Sequence, residues 1–281
     1  MNRKRYLTAI VSLIGLFATF AVVAFADDRG EGPLAPDQPK QITVDEIIHK
    51  FAAKEKDFKE AREQYTWRQS VTVQTIDGKI VDGEYQAVVD ILFDDRGRRV
   101  ENVVYAPEDT LQRIAMTRED FEDIEKRMPF VLTSDEIPGY DIKYLGQQKQ
   151  DELNTYVFDI RPKKIESKQR YFEGRIWVDD QDFQIVKTFG KNVPDLVRKK
   201  GNENLFPKFT TWREQVDGRY WFPTYTRVDD RLHFSTGDIH VRQIVKYTNY
   251  KRFGSKTRIT YEGQELPKDK DSGETQQGSA K

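Results

Sequence analysis

His233 and His240 flank a Ser235-Thr236-Gly237-Asp238 turn signal, with Asp229 and Asp230 just before them. Histidines and carboxylates brought together in this way would suit a metal site, or an acid/base pair for a hydrolase. Both uses need convergent, fixed ligands. The local pattern reads better as surface-strand histidines beside a solvated acidic turn. Carboxylate pairs recur at Asp94-Asp95, Asp179-Asp180 and Asp229-Asp230. A glycosidase needs two carboxylates across a cleft. All three pairs fall where hairpin turns are expected, and Asp is favoured there for local hydrogen bonding. His49 lies in a helical run and has no ligand-type residue four positions on. No phosphate-binding glycine loop, nucleophile elbow or H-E-x-x-H helix occurs. We therefore expect no catalytic residue, no metal and no cofactor.

Composition narrows the classes further. Lys and Arg number 46 against 47 Asp and Glu, with no Cys. Nucleic-acid binding would need a basic excess. Zero cysteine excludes thiol nucleophiles, Cys-type zinc sites and disulfide scaffolds. Positive charge is concentrated locally at Arg161–Arg170 and at Arg198–Lys200. These stretches are solvated loops or, read functionally, surfaces for an anionic membrane or an acidic partner protein. Eight aromatics fall between Phe206 and Phe234. Strand alternation sends Tyr220 and Phe222 to one face and Trp221 and Tyr225 to the other.

The elements that must position these residues are mostly strands. Thr43 and Glu46 form a capping box, followed by Ile47, Ile48, Phe51, Ala52, Phe58 and Ala61 at helical spacing. Lys54, Glu55, Lys56, Asp57, Lys59 and Glu60 are assigned to the opposite, polar face. A second helix is predicted from Thr117, with Phe121, Ile124 and Met128 on one side and Pro129 ending it. Between and after the helices, about ten or eleven strands alternate with short turns such as Asp77-Gly78 and Asp217-Gly218. Such turns are too short for parallel crossovers. The predicted fold is mainly β (α+β): a curved, incomplete antiparallel β-barrel with helices on its concave face. If the helices do not fill the sheet, an apolar cavity remains.

The ends of the chain read as accessory segments. Arg3, Lys4 and Arg5 precede an apolar run from Tyr6 to Phe25, and Ala24-Phe25-Ala26 is a small-residue cleavage pattern. This predicts a secretory signal peptide over residues 1–26, cleaved after Ala26. The alternative is an uncleaved anchor, since about 20 apolar residues can span a bilayer. Losing three positive charges takes the net charge from −1 to −4. Residues 27–41 read as a flexible leader, 42–261 as one domain and 262–281 as a disordered tail.

Two motifs then carry a resemblance. They are Tyr171-Phe-Glu-Gly-Arg-Ile-Trp-Val-Asp179 followed by Gln184-Ile-Val-Lys-Thr188, and Val216-Asp-Gly-Arg-Tyr-Trp-Phe-Pro-Thr224. With the order of elements around them, over residues 42–253, the chain resembles the LolA/LolB-like superfamily. That group of bacterial envelope proteins includes outer-membrane lipoprotein carriers and RseB-type regulators. The resemblance implies a half-barrel plugged by helices, and a noncatalytic periplasmic carrier of lipoprotein acyl chains or lipid. It equally admits a sensor or scaffold that binds another envelope protein. It carries over no ligand-contacting residue. Our candidates for the cavity lining are strand residues with an inward face, namely Trp67, Val89, Ile91, Phe93, Tyr105, Phe158, Trp177 and Phe222. Phe121, Ile124 and Met128 would join them from the second helix. Each has closed core packing as its alternative role.

Overall fold

The computed structural model describes residues 32–253, except 95, 167–168 and 198–202. The predicted signal peptide, the 262–281 tail and the Arg198–Lys200 cluster lie outside the described residues, as would any strand after Phe253 among those expected. Helix α1 spans Val44–Arg62 and starts at the expected capping box, with Glu46 N–H donating to Thr43 Oγ1 at 3.2 Å and Thr43 N–H donating to the Glu46 carboxylate at 2.9 Å. Strands β1 (Tyr65–Asp77), β2 (Ile80–Phe93) and β3 (Arg99–Tyr105) follow as hairpins. The mid-chain helix is short. Helix α2 covers only Arg118–Glu122, and a π turn over Asp123–Arg127 continues it.

Strands β4 (Tyr140–Gln150), β5 (Leu153–Pro162), β6 (Tyr171–Asp179) and β7 (Ile185–Val193) form a second run of hairpins. After β7 comes a small ribbon of β8 (Leu196–Val197) and β9 (Glu203–Asn204), and Phe206 beyond it is buried. Strands β10 (Phe209–Val216), β11 (Tyr220–Phe234) and β12 (Gly237–Arg252) complete the described residues.

Among the described residues, ten strands make one open sheet in the order β3-β2-β1-β12-β11-β10-β7-β6-β5-β4, and every neighbouring pair is antiparallel. Strand β12 joins the two halves. It pairs with β1 from Ile76↔His240 to Tyr65↔Arg252 and with β11 on its other side. Helix α1 and the 124–132 segment lie on the inner face. There Ile47, Phe51, Ile124, Met128 and Leu132 share one core with Trp67, Ile91, Phe158, Ile176 and Val245. Rings pack tilted within it, as at Phe51–Phe158 (5.6 Å), and edge-on in a neighbouring cluster, as at Phe58–Phe222 (5.2 Å). A separate outer-face cluster gathers Val157, Trp177 and Val186.

Three placements differ from the sequence pattern. Glu55, assigned to the polar face of α1, is fully buried, because Arg213 of β10 reaches it from below. Asp229 and Asp230 lie inside β11 rather than at a turn. Val228 and Leu232 continue the inward alternation through them, and the turn comes only at Ser235-Thr236. Gly32–Asp37, read as a loose leader, lies along β4. Ala35 exchanges two backbone hydrogen bonds of 2.8 Å with Gln147, which supplies partners to an otherwise open sheet edge.

Candidate functional site

The inner face is not completely filled. A cleft of about 460 Å³ opens between the last turn of α1, the ends of β1–β3 nearest it, the 125–140 segment and the start of β6. That volume lies within the range of small-molecule sites. Its position follows from how α1 is pinned. Glu55 accepts from Arg213 at 2.6 and 3.1 Å, both side chains being about 1% exposed. Arg213 also donates to the Phe130 carbonyl and, at 3.4 Å, to the Pro129 and Ile185 carbonyls. One guanidinium thus fixes α1, β10, β7 and the mid-chain segment together. The last turn of α1 runs past this anchor and forms the cleft wall with Lys59, Arg62 and Glu63.

The π turn shapes the opposite wall. Met128 N–H reaches back five residues to the Asp123 carbonyl at 2.8 Å, which widens the turn. Asp123 then points inward and pairs with Arg170 at 2.8 Å and Arg127 at 3.3 Å. Burial pushes the Asp123 carboxyl up and the Arg170 guanidinium down, while each opposes the shift of the other by its charge. Arg170 also lies 3.1 Å over the Phe206 ring. It is therefore a buried structural cation and not part of an exposed basic loop. Arg161, Lys163 and Lys164 remain outside, where Arg161 meets Asp159 and Glu173, and Lys164 meets Glu166.

The cleft has an aromatic floor and a basic rim. Trp67, Phe93, Phe130, Tyr140, Tyr171 and Phe172 supply rings. Burial pushes the Tyr140 hydroxyl up to about 12. Six basic side chains line the cleft against three carboxylates, Glu63, Glu125 and Glu136. An apolar chain with a polar end fits such a surface, since apolar contact with the rings would stabilise the chain by about 0.8 kcal/mol per buried CH₂.

Of the residues expected to line a cavity, Trp67 and Phe93 line this cleft, their rings 6.3 Å apart. Val89, Ile91, Ile124, Met128 and Phe158 sit in the closed core beneath. Phe222 packs with Phe58 and Tyr65 in a neighbouring core cluster. Trp177 is buried on the outer face, donating to Gln148 Oε1 at 2.8 Å beneath the Lys187 ammonium. Alternation in β6 puts it with Glu173 and Arg175, opposite Phe172, Ile176 and Val178. Phe121 is 42% exposed and meets Tyr85 edge-on, because the segment turns Ile124 and Met128, not Phe121, into the core. Tyr105 is 53% exposed on the sheet edge.

Sequence reading missed Arg62, Arg99, Phe130, Tyr140, Tyr171 and Phe172 as lining residues. Phe172 alone carried a signal, as the first inward position of β6. The others come from the last turn of α1 (Arg62), the first residues of β3, β4 and β6 (Arg99, Tyr140 and Tyr171) and irregular chain (Phe130), where periodicity says little.

The histidines lie elsewhere. His233 contacts Asp238 at 2.8 Å, and His240 contacts Asp229 at 2.7 Å. Each is held by its own carboxylate, away from the cleft. No group of three or more potential metal ligands exists among the described residues. Among them, no helix is long and apolar enough to cross a membrane.

A second cleft, of about 480 Å³, lies by the β11–β12 turn. The mid-chain segment contributes Arg113–Thr117 and Asp120 to it and Glu125–Arg127, Phe130 and Val131 to the first.

No family model matches this sequence, and no curated protein matches it. Solved structures do. A LolA superfamily protein from Nitrosomonas europaea is 15% identical, with 72% of this chain and 94% of that chain covered and a TM-score of 0.33. A domain classed among outer membrane lipoprotein-sorting proteins, from Vibrio parahaemolyticus, is 12% identical over 70% and 90%, with a TM-score of 0.32. MucB is 13% identical over 72% and 92%, with a TM-score of 0.25. This chain is thus similar to LolA-superfamily and MucB structures. At such identities and scores, the likeness carries no argument about ligand or partner.

Proposed function

We propose that this protein is an exported, noncatalytic binding protein that holds the apolar chain of a lipid or lipidated protein. The occupied site is the cleft between the end of α1, β1–β3 and the 125–140 segment. The observation behind this reading is the cleft itself, with about 460 Å³ of space floored by Trp67, Phe93, Phe130 and Phe172. An acyl chain in water needs such a cover, because each exposed CH₂ costs about 0.8 kcal/mol. The basic n-region, apolar run and Ala24-Phe25-Ala26 pattern support export to the periplasm. A scaffold role through the loop at 161–170 has less support, because Arg170 is buried and Arg161 and Lys164 lie beside carboxylates.

Tryptophan position gives a direct test. Trp67 lines the cleft, whereas Trp177 and Trp221 lie in or against the outer-face cluster and Trp212 packs tilted against Tyr225, outside the cleft lining. A fatty acid brominated along its chain should quench the emission of Trp67 alone. Trp67→Phe should remove most of the quenchable signal and leave the rest of the emission unchanged. Quenching of the same size in Trp67→Phe, or none in the parent chain, would overturn the assignment.

A further inference from the structure

The basic rim of the cleft is not wholly neutralised. Arg62 has no carboxylate partner among the described residues. It donates to a backbone carbonyl, that of Glu125, at 3.2 Å, and its guanidinium lies 5.2 Å from the centre of the Trp67 ring. Burial holds its guanidinium below the usual arginine range, with only Tyr247 and Tyr250 opposing. Most cleft cations differ from it in this respect. Arg170 and Arg127 pair with Asp123, and Arg99 meets Glu101 and Glu125.

A second, independent observation concerns unmet donors. Trp67 Nε1, Arg99 Nε and Arg170 Nε are buried N–H groups without acceptors, and all three residues line this cleft. A buried donor left unmet loses its water partner without gaining another. The site therefore has an excess of donors and of positive charge beside an aromatic floor.

We propose that the ligand of this cleft is an anionic amphiphile. Its carboxylate or phosphate head pairs with Arg62, and its tail lies over Trp67 and Phe93. A carboxylate or phosphate offers two or more acceptor oxygens to a planar guanidinium. A neutral head would leave the half-buried Arg62 beside the tail without an anion. This inference rests on the acyl-chain reading above and adds the class of head group.

The test uses the full chain and four probes: palmitate, 1-palmitoyl lysophosphatidate, monopalmitoylglycerol and inorganic phosphate. Both anionic amphiphiles should bind about tenfold tighter than the neutral glyceride, a factor of ten corresponding to 1.4 kcal/mol. Arg62→Gln should erase that difference while changing glyceride binding less than about twofold, as expected for loss of one charge-assisted contact. Arg62→Lys, which keeps the charge, should retain the preference, and this controls for a folding defect. The ratio of palmitate to lysophosphatidate affinity identifies the preferred head. Equal binding of charged and neutral amphiphiles, or an equal loss of both in Arg62→Gln, would overturn the head-group assignment. Arg62-dependent competition by inorganic phosphate at the affinity of the amphiphiles would overturn it in favour of a free-anion site. Failure of all three amphiphiles to bind would remove the acyl-chain reading itself.

Discussion

Arg213 and Glu55 show how one residue pair can set the geometry of a site it does not line. A buried ion pair adds little net stability over a well-packed apolar pair, because desolvation of both charges offsets their attraction. Burial indeed pushes the Glu55 carboxyl up, with Arg213 opposing. Removing one partner is a different matter, since the other charge is left buried alone. Glu55→Leu or Arg213→Met should each cost about 3–5 kcal/mol by chemical denaturation. The double variant Glu55→Leu/Arg213→Met should cost clearly less than either single change, a coupling that a double-mutant cycle measures. Simple additivity of the two changes would show that the pair is not a unit. None of this was legible in the sequence. Glu55 sits among charged neighbours on α1, and its partner is 158 residues away. Local periodicity assigns a lone carboxylate to solvent, and only the tertiary fold brings the cation to it. Arg62 was obscured in the same way at the end of the same helix.

Elements were more legible than sites, because strands and turns carry their signals locally. The capping box at Thr43, the hairpin turns at Asp77-Gly78 and Asp217-Gly218 and the alternation of β5 and β6 all appear where the residue pattern puts them. The open sheet of ten antiparallel strands follows from them. The π turn after α2 did not show, because one extra residue in a turn leaves no mark on a short apolar pattern. The edge of β4 was equally hidden. Gly146 there has φ +140°, at an irregularity between Tyr144 and Gly146, and a Cβ on it would stand 2.1 Å from the Ala35 carbonyl oxygen. The leader can lie against β4 only because that position has no side chain. Gly146→Val should therefore expel residues 32–37 from the edge and cost about 1–3 kcal/mol from backbone strain. Hydrogen exchange at the Gln147 amide should accelerate to the rate of an open edge. Concentration-dependent self-association should follow, as free edges pair with other chains. Unchanged protection at Gln147 would refute this account of the glycine.

On the scale of the whole molecule, the position of β12 decides how the chain holds together. The last strand among the described residues lies in the interior of the sheet, between β1 and β11, and contributes Ile239, Val241, Val245 and Tyr247 to the shared core. The Arg252 guanidinium donates to Gln64 at 2.9 Å across 188 residues of chain. Contacts this distant form late and at a high loop-closure cost. Without β12, the β1–β3 hairpins would have no strand connection to β11, and the inner face beneath α1 would lose one wall. A chain ended at Thr236 should therefore lose its cooperative unfolding transition altogether, and it should expose apolar surface that binds a hydrophobic dye. The intact chain should unfold in one transition, with tryptophan fluorescence and far-ultraviolet circular dichroism coincident. If β1–β3 and β4–β11 were instead separate folding units, the shortened chain would keep a cooperative transition of reduced amplitude. The two probes would then also separate in the intact protein. Because the cleft is built from both halves, with Trp67 and Arg99 from one and Tyr140 and Phe172 from the other, the shortened chain should also lose acyl-chain binding completely rather than in part.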